Sequence, residues 1–234
     1  DSTADVKIRA WYCASQWSDK PILKLAVYDE SEPWDGARGA WGFPQMRSHW
    51  NYSHFEKMMH VAVMTNCDTV KLYQNNQTVR TAYLSDFPDA MVHFFIPYIP
   101  GILKAEGYQS GHLMASDTLY SDHQASQLRV DVDKTKLPAD GHSVAFVDLA
   151  LEDTHARRYM LEDRIVSWNL EGCHAKVLID NGNAYSLLPF NAPEIPMHNG
   201  HIMLMICAGH EKGISNLHIR VEGFEERIIM FSFD

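Results

Sequence analysis

The stretch I-P-Y-I-P-G-I-L-K-A-E-G-Y, residues 96–108, decides how this chain folds. Pro97 and Pro100 have no N–H to give to a strand ladder, so a strand ends there and the chain crosses over. Gly101 supplies permissive backbone for re-entry. Ile102, Leu103, Lys104, Ala105 and Glu106 then leave as a second, alternating strand. Strand, proline-marked crossover and strand again are the elements of a β-sandwich.

Working outward, residues 22–28, 58–64, 69–74, 79–84, 91–96, 102–108 and 112–119 show mostly period-2 patterning with turn residues between them. Asn75 and Asn76 can take the two positive-φ positions of a tight hairpin. Upstream, Ile8, Trp11, Tyr12 and Ser15 fall at i, i+3, i+4 and i+7, the mark of one short amphipathic helix. Ser18-Asp19-Lys20-Pro21 stops it. Downstream, the polar spacer S-D-H-Q-A-S at 121–126 precedes a fresh alternation. Strands are expected over 127–133, 143–152, 165–171, 176–179, 201–208, 215–221 and 227–233, the spacing of an immunoglobulin-like sandwich. Trp168 is a plausible core aromatic of that second domain, with no cysteine pair flanking it. The expected fold is therefore all-β: two immunoglobulin-like β-sandwich domains in tandem after a short helix. Residues 1–20 form the helix and linker, 21–121 the first sandwich and 122–234 the second. Residues 29–57 break the pattern and read as an insertion, since a long structureless loop inside a compact domain tends to be functional or misassigned.

Composition narrows the function classes. The chain has 234 residues, 46% of them hydrophobic, enough for a core in each domain. Twenty basic against thirty acidic residues, a net charge of -10, argue against nucleic acid or an anionic membrane as partner. Cys13, Cys67, Cys173 and Cys207 stand far apart without a C-x-x-C pair and read as buried free thiols. There is no membrane-length apolar run and no apolar core of a signal peptide, and a start at Asp1 reads as a processed or cut chain.

Several landmarks together resemble the C-terminal accessory β-sandwich region of glycoside hydrolase family 2, the β-galactosidase and β-glucuronidase family. A-S-Q-W-S-D-K-P-I-L at 14–23 looks like the junction where that family's catalytic (β/α) barrel ends its last helix and a strand follows. His49-Trp50-Asn51-Tyr52 resembles the family's H-W-N-W, which makes residues 29–47 an insertion. T-N-C-D-T-V-K-L-Y at 65–73 is similar to T-N-x-D-x-V-E-L-F, with Lys71 in place of the glutamate. L-P-A-D-G at 137–141, I-D-N-G at 179–182 and H-N-G-H at 198–201 follow in the order of the family's next domain. The resemblance implies a parent β-galactosidase, exported to the periplasm or secreted, whose barrel is the partner of this region. It implies a structural role for these domains, with a possible loop at the rim of the sugar pocket and room for oligomer contacts. Ile8, Trp11 and Tyr12 would then cover the barrel.

The family's two catalytic glutamates come from barrel strands that precede the helix, so the resemblance carries none over, and the chain alone is expected not to be an enzyme. A retaining glycosidase needs two carboxylates about 5 to 5.5 Å apart on a rigid frame. Glu30 with Glu32, Asp86 with Asp89, and Glu225-Glu226 are pairs in polar turns or on exposed strands, where solvated acids are the ordinary reading. No metal or other cofactor is expected: His198 and His201 flank Asn199-Gly200, a hairpin that sets them opposite each other without a third ligand nearby. D-N-G-N at 180–183 lacks the alternating acids of a calcium loop and reads as a turn. The remaining candidate is a sugar-stacking platform of Trp34, Trp41 and Trp50 with Asp35 and Asn51 as polar neighbours, weighed against burial of the same rings. It supports an alternative: a stand-alone carbohydrate-binding or adhesin-like module.

Overall fold

A computed structural model describes residues 3, 6–28, 43–52, 55–121, 125–172 and 174–234. Among the described residues the chain is all-β apart from one α-helix and a single 3₁₀ turn, and it forms two compact units, Val6–His123, and Gln124–Asp234 together with Asp1–Asp5.

In the first unit, helix α1 (Ile8–Trp17) ends at Ser18, whose N–H donates to the Ala14 carbonyl at 2.9 Å. The strands are β1 (Leu23–Tyr28), β2 (Met46–Arg47), β3 (Met58–Thr65), β4 (Thr69–Gln74), β5 (Gln77–Tyr83), β6 (Met91–Pro97), β7 (Ile102–Gln109) and β8 (His112–Tyr120). They form two sheets, ordered β2-β1-β3-β6 and β5-β4-β7-β8. Strands β1, β3 and β6 against β4, β7 and β8 reproduce the A-B-E and C-F-G pairing of an immunoglobulin-type sandwich. Period 2 sends Leu25, Val61, Val63 and Phe94 inward to meet Leu72 and Leu103 of the opposite sheet. The other face of β1, β3 and β6 carries Ala26, Met64 and Met91, and Ile8 and Tyr12 of α1 pack on them.

The opening motif behaves as its prolines demand. Pro97 is the last residue of β6, Tyr98 is buried, and Gly101 turns at φ +126 before β7 begins. Asn75 (φ 51) and Asn76 (φ 66) close the β4–β5 hairpin with both residues left-handed, the geometry of a type I′ turn. The short strand β2 and a 3₁₀ turn at Leu84–Asp86 escaped the sequence reading, because two or three residues carry no measurable period.

The second unit holds β9 (Gln127–Val132), β10 (Lys136–Leu137), β11 (Val144–Glu152), β12 (Ile165–Glu171), β13 (Ala175–Asp180), β14 (Glu194–Pro196), β15 (His201–Ala208), β16 (Gly213–Val221) and β17 (Arg227–Phe233). Its sheets run β13-β15-β11-β9 and β10-β17-β16-β12-β14, an A-B-E-D sheet facing C-F-G, with β10 parallel to β17. Leu149, Leu204, Ile206, Ile219, Phe231 and Phe233 fill the space between them. Trp168 on β12 is half-buried against this core and its indole N–H donates to the Ala192 carbonyl at 2.9 Å. The turn landmarks are built by short polar side chains. Asp140 accepts the N–H groups of His142 (3.0 Å) and Ser143 (2.7 Å), and Asp180 accepts that of Gly182 (2.9 Å). Asn199 and Gly200 turn at φ 52 and 64 and set His198 and His201 opposite each other in an antiparallel bridge.

Candidate functional site

Trp34, Asp35 and Trp41 lie outside the described residues. Trp50 is 0% exposed, which corrects its reading as a sugar platform. Its indole N–H donates to the Ile99 carbonyl at 2.9 Å, and its ring stands edge-on to Tyr98 (5.1 Å) and Tyr52 (6.0 Å) behind the proline crossover. Burying the ring while satisfying its one donor leaves no face for a ligand. Asn51 is half-buried beside it, its backbone N–H directed at His49 Nδ1 at 3.3 Å.

The helix stripe is partly occupied within the chain. Ile8 and Tyr12 pack on the chain's own sheet, Tyr12 also donating its hydroxyl to the Asp89 carbonyl at 3.2 Å. Trp11 is half-buried with the Lys24 ammonium 6.0 Å from its ring centre. The i, i+3, i+4 pattern was read correctly as an apolar face, but periodicity does not say which surface covers it.

Beyond the helix, the same sheet face brings together a cluster that sequence reasoning missed. Tyr28 stacks on His60 at 3.8 Å and His60 on Phe95 at 4.3 Å, a row of rings across β1, β3 and β6. His60 Nε2 lies 2.9 Å from His93 Nδ1, and His93 Nε2 lies 2.7 Å from an Asp89 carboxylate oxygen. A carboxylate only accepts, so His93 donates through Nε2; in the neutral ring Nδ1 then accepts, and His60 donates to it. Burial first, then the neighbouring His93, push the His60 imidazole down to about 4, against the pull of Asp89. Burial and Asp89 push the Tyr28 phenol up to about 12. The result is a hydrogen-bonded aromatic patch whose edge ring, Phe95, is 59% exposed. The available signal was the outward phase of three alternating strands. Only the register, with His60 opposite Phe95, turns it into a cluster.

The carboxylates are set as hydrogen-bond acceptors. The Lys104 ammonium and then the Tyr108 hydroxyl, 2.7 and 2.6 Å away, hold Glu106 down to about 2. The His142 and Ser143 N–H groups hold Asp140 at about 2. Burial works to raise Asp148, but hydrogen bonds from His201 (2.6 Å) and Arg129 (2.7 Å) leave it below the usual range. A glycosidase's general acid needs the reverse, a carboxyl raised by its surroundings. Among the anticipated pairs, Asp89 is engaged by His93, and Glu226 by Arg220 (2.9 Å) and His218 (3.3 Å); Glu30 and Glu32 lie outside the described residues. Among the described residues no group of three or more His, Cys, Asp or Glu side chains is arranged to hold a metal ion, and no helix is long and apolar enough to cross a membrane.

Fold and surface together define a tandem β-sandwich region whose displaced carboxyls are held as anions. Residues 128–230 match glycoside hydrolase family 2 C-terminal domain 5, and residues 56–115 match a domain of unknown function, DUF4982. The β-galactosidase BoGH2A of Bacteroides ovatus is 22% identical over 218 residues, 93% of this chain and 23% of the relative. A β-glucuronidase of Formosa agariphila is 31% identical over 128 residues, 53% of this chain and 13% of that protein. The crystal structure of a glycosyl hydrolase family 2 member from Bacteroides cellulosilyticus superposes with a TM-score of 0.88 at 26% identity, over 99% of this chain and 31% of that one. Residues 128–230 thus belong to a C-terminal domain of glycoside hydrolase family 2, and the chain as a whole is similar to the C-terminal β-sandwich region of that family's enzymes. It spans less than a third of the length of these relatives.

Proposed function

We propose that this chain is a non-catalytic accessory region of a family 2 glycoside hydrolase, supporting the catalytic barrel and shaping the rim of its sugar pocket. The observation that carries the reading is the likeness over 99% of the chain to about a third of a family 2 enzyme structure. The carboxylates held near 2 at Glu106 and Asp140 support it, since such groups are poor proton donors at neutral pH. A β-galactoside is the favoured substrate of the parent, on the likeness to the β-galactosidase BoGH2A over 93% of the chain, with a β-glucuronide as the rival because β-glucuronidases align over 53% and 74% of it. Export to the periplasm or beyond is part of the same proposal, as is an oligomeric parent.

The test is turnover of chromogenic β-galactosides and β-glucuronides by the parent protein and by this chain alone. Hydrolysis by the chain alone would end the accessory reading. The rival reading, a glycan-binding module built on residues 34–50, loses one of its three rings with the burial of Trp50. Titration calorimetry against a glycan panel decides it, a Trp41→Ala-sensitive signal favouring the module.

A further inference from the structure

Apolar surface is exposed on both units, Trp17, Phe55, Met58 and Phe95 in the first among it, but in the second its most exposed side chains are gathered in a single loop. Tyr185 is 88% and Leu187 98% exposed, with Leu188 and Phe190 beside them also exposed. From Asn181 to Pro193 the sequence carries no charge, in a chain with fifty charged residues. These side chains are held outward by a hydrogen-bonded loop. Asn183 accepts the Tyr185 N–H on its side-chain oxygen (3.0 Å) and the Ser186 N–H on its carbonyl (3.0 Å). On the far side the Ile179 N–H donates to the Phe190 carbonyl at 2.6 Å, the Ala192 N–H to Pro189 at 2.9 Å, and the Trp168 indole to Ala192. Behind the loop runs an open groove of about 630 Å³ between β12 and β13, lined by Trp168, Leu170, Lys176, Val177, Leu178 and Phe190. A pinned loop that presents leucines and aromatics beside a mostly apolar groove with one lysine has the composition of an interface core, where charges are depleted and aromatics enriched.

We infer that residues 183–191 and the groove behind them form a docking surface for the remainder of the parent polypeptide, against an apolar, uncharged face of it. The inference rests on the accessory reading above. The occupant follows from length: relatives that align over 93% and 99% of this chain are three to four times longer, so most of their polypeptide is available to cover it.

The experiment compares L187D/F190S with the unsubstituted protein, both in the full-length parent and in this 234-residue chain, by thermal melting. The expected result is a loss of about 4 °C or more in the parent, with protease-sensitive release of the sandwich region, and no shift in the chain alone. Equal melting of both parents overturns the inference, as does destabilisation of the chain alone, which would make the loop part of its own core. A chain that is dimeric by light scattering until substituted overturns it in favour of a second copy. Glycan binding lost in F190S overturns it in favour of a sugar site. Turnover by the unsubstituted parent is scored separately, so failure of the docking surface and failure of the accessory reading give different results.

Discussion

Asn75 and Ile102 bind each other twice: the Asn75 N–H donates to the Ile102 carbonyl at 2.8 Å, and the Ile102 N–H donates to the Asn75 side-chain oxygen at 2.7 Å. The same amide donates to the Pro100 carbonyl at 3.0 Å, so one side chain from the β4–β5 hairpin clasps the crossover that opens β7. Gly101 has no Cβ because that amide occupies the place a Cβ would take.

The two asparagines of this hairpin therefore respond in opposite ways. Asn75→Gly keeps a permissible backbone but loses the clasp, and is expected to cost about 1–2 kcal/mol. Asn76→Gly relieves an L-residue at φ 66 and is expected to stabilise by about 0.5–1 kcal/mol. Gly101→Ala collides with the Asn75 amide, so Asn75→Gly should recover part of its loss in a double-mutant cycle. Urea denaturation measures all four variants, and additivity would refute the clasp.

Trp50→Ala empties a fully buried site and strands the Ile99 carbonyl, for an expected loss of about 3–5 kcal/mol. Trp17→Ala, at the exposed end of α1, is expected to change the stability of this chain by no more than about 0.5 kcal/mol. Equal effects at the two tryptophans would contradict the burial described.

His60, held neutral by its surroundings, makes stability depend on pH in a definite direction. Its folded-state value of about 4 lies below the ordinary 6.5, so between the two the unfolded chain binds more protons. Its contribution is present above pH 6.5 and is lost as pH falls toward 4. His60→Gln should flatten that part of the profile, and an NMR titration should show the imidazole still neutral at pH 5.5. A His60 midpoint near 6.5 would sink this prediction.

Glu106 acts lower on the scale. With a carboxyl at about 2 in place of the ordinary 4.5, it stabilises the fold above pH 4.5 and loses that contribution as pH falls toward 2. Glu106→Gln should lower the urea midpoint at pH 7 and narrow the gap between pH 7 and pH 3. An unchanged gap would place the acid sensitivity elsewhere, Asp148 being the next candidate.

The site was less legible than the fold. Outward positions such as Tyr28, His60 and Phe95 give no signal apart from one another, since solvated and clustered side chains share the same strand phase. Trp50 shows the converse: a tryptophan in an irregular segment reads as equally suited to a sugar or a core until its neighbours are known.

The sequence by itself determined the longer strands, their turns and the likeness to a family, because proline, glycine and asparagine impose backbone constraints within a few residues and alternation marks the inward face. Tertiary structure alone decided which apolar surface is spent inside the chain and which remains. Ile8 and Tyr12 pack, partly buried, against Ala26, Met64 and Met91, whereas Leu187 and Phe190 stand exposed. Burial depends on where distant strands bring their partners, and hydrophobicity along the chain carries no record of that distance.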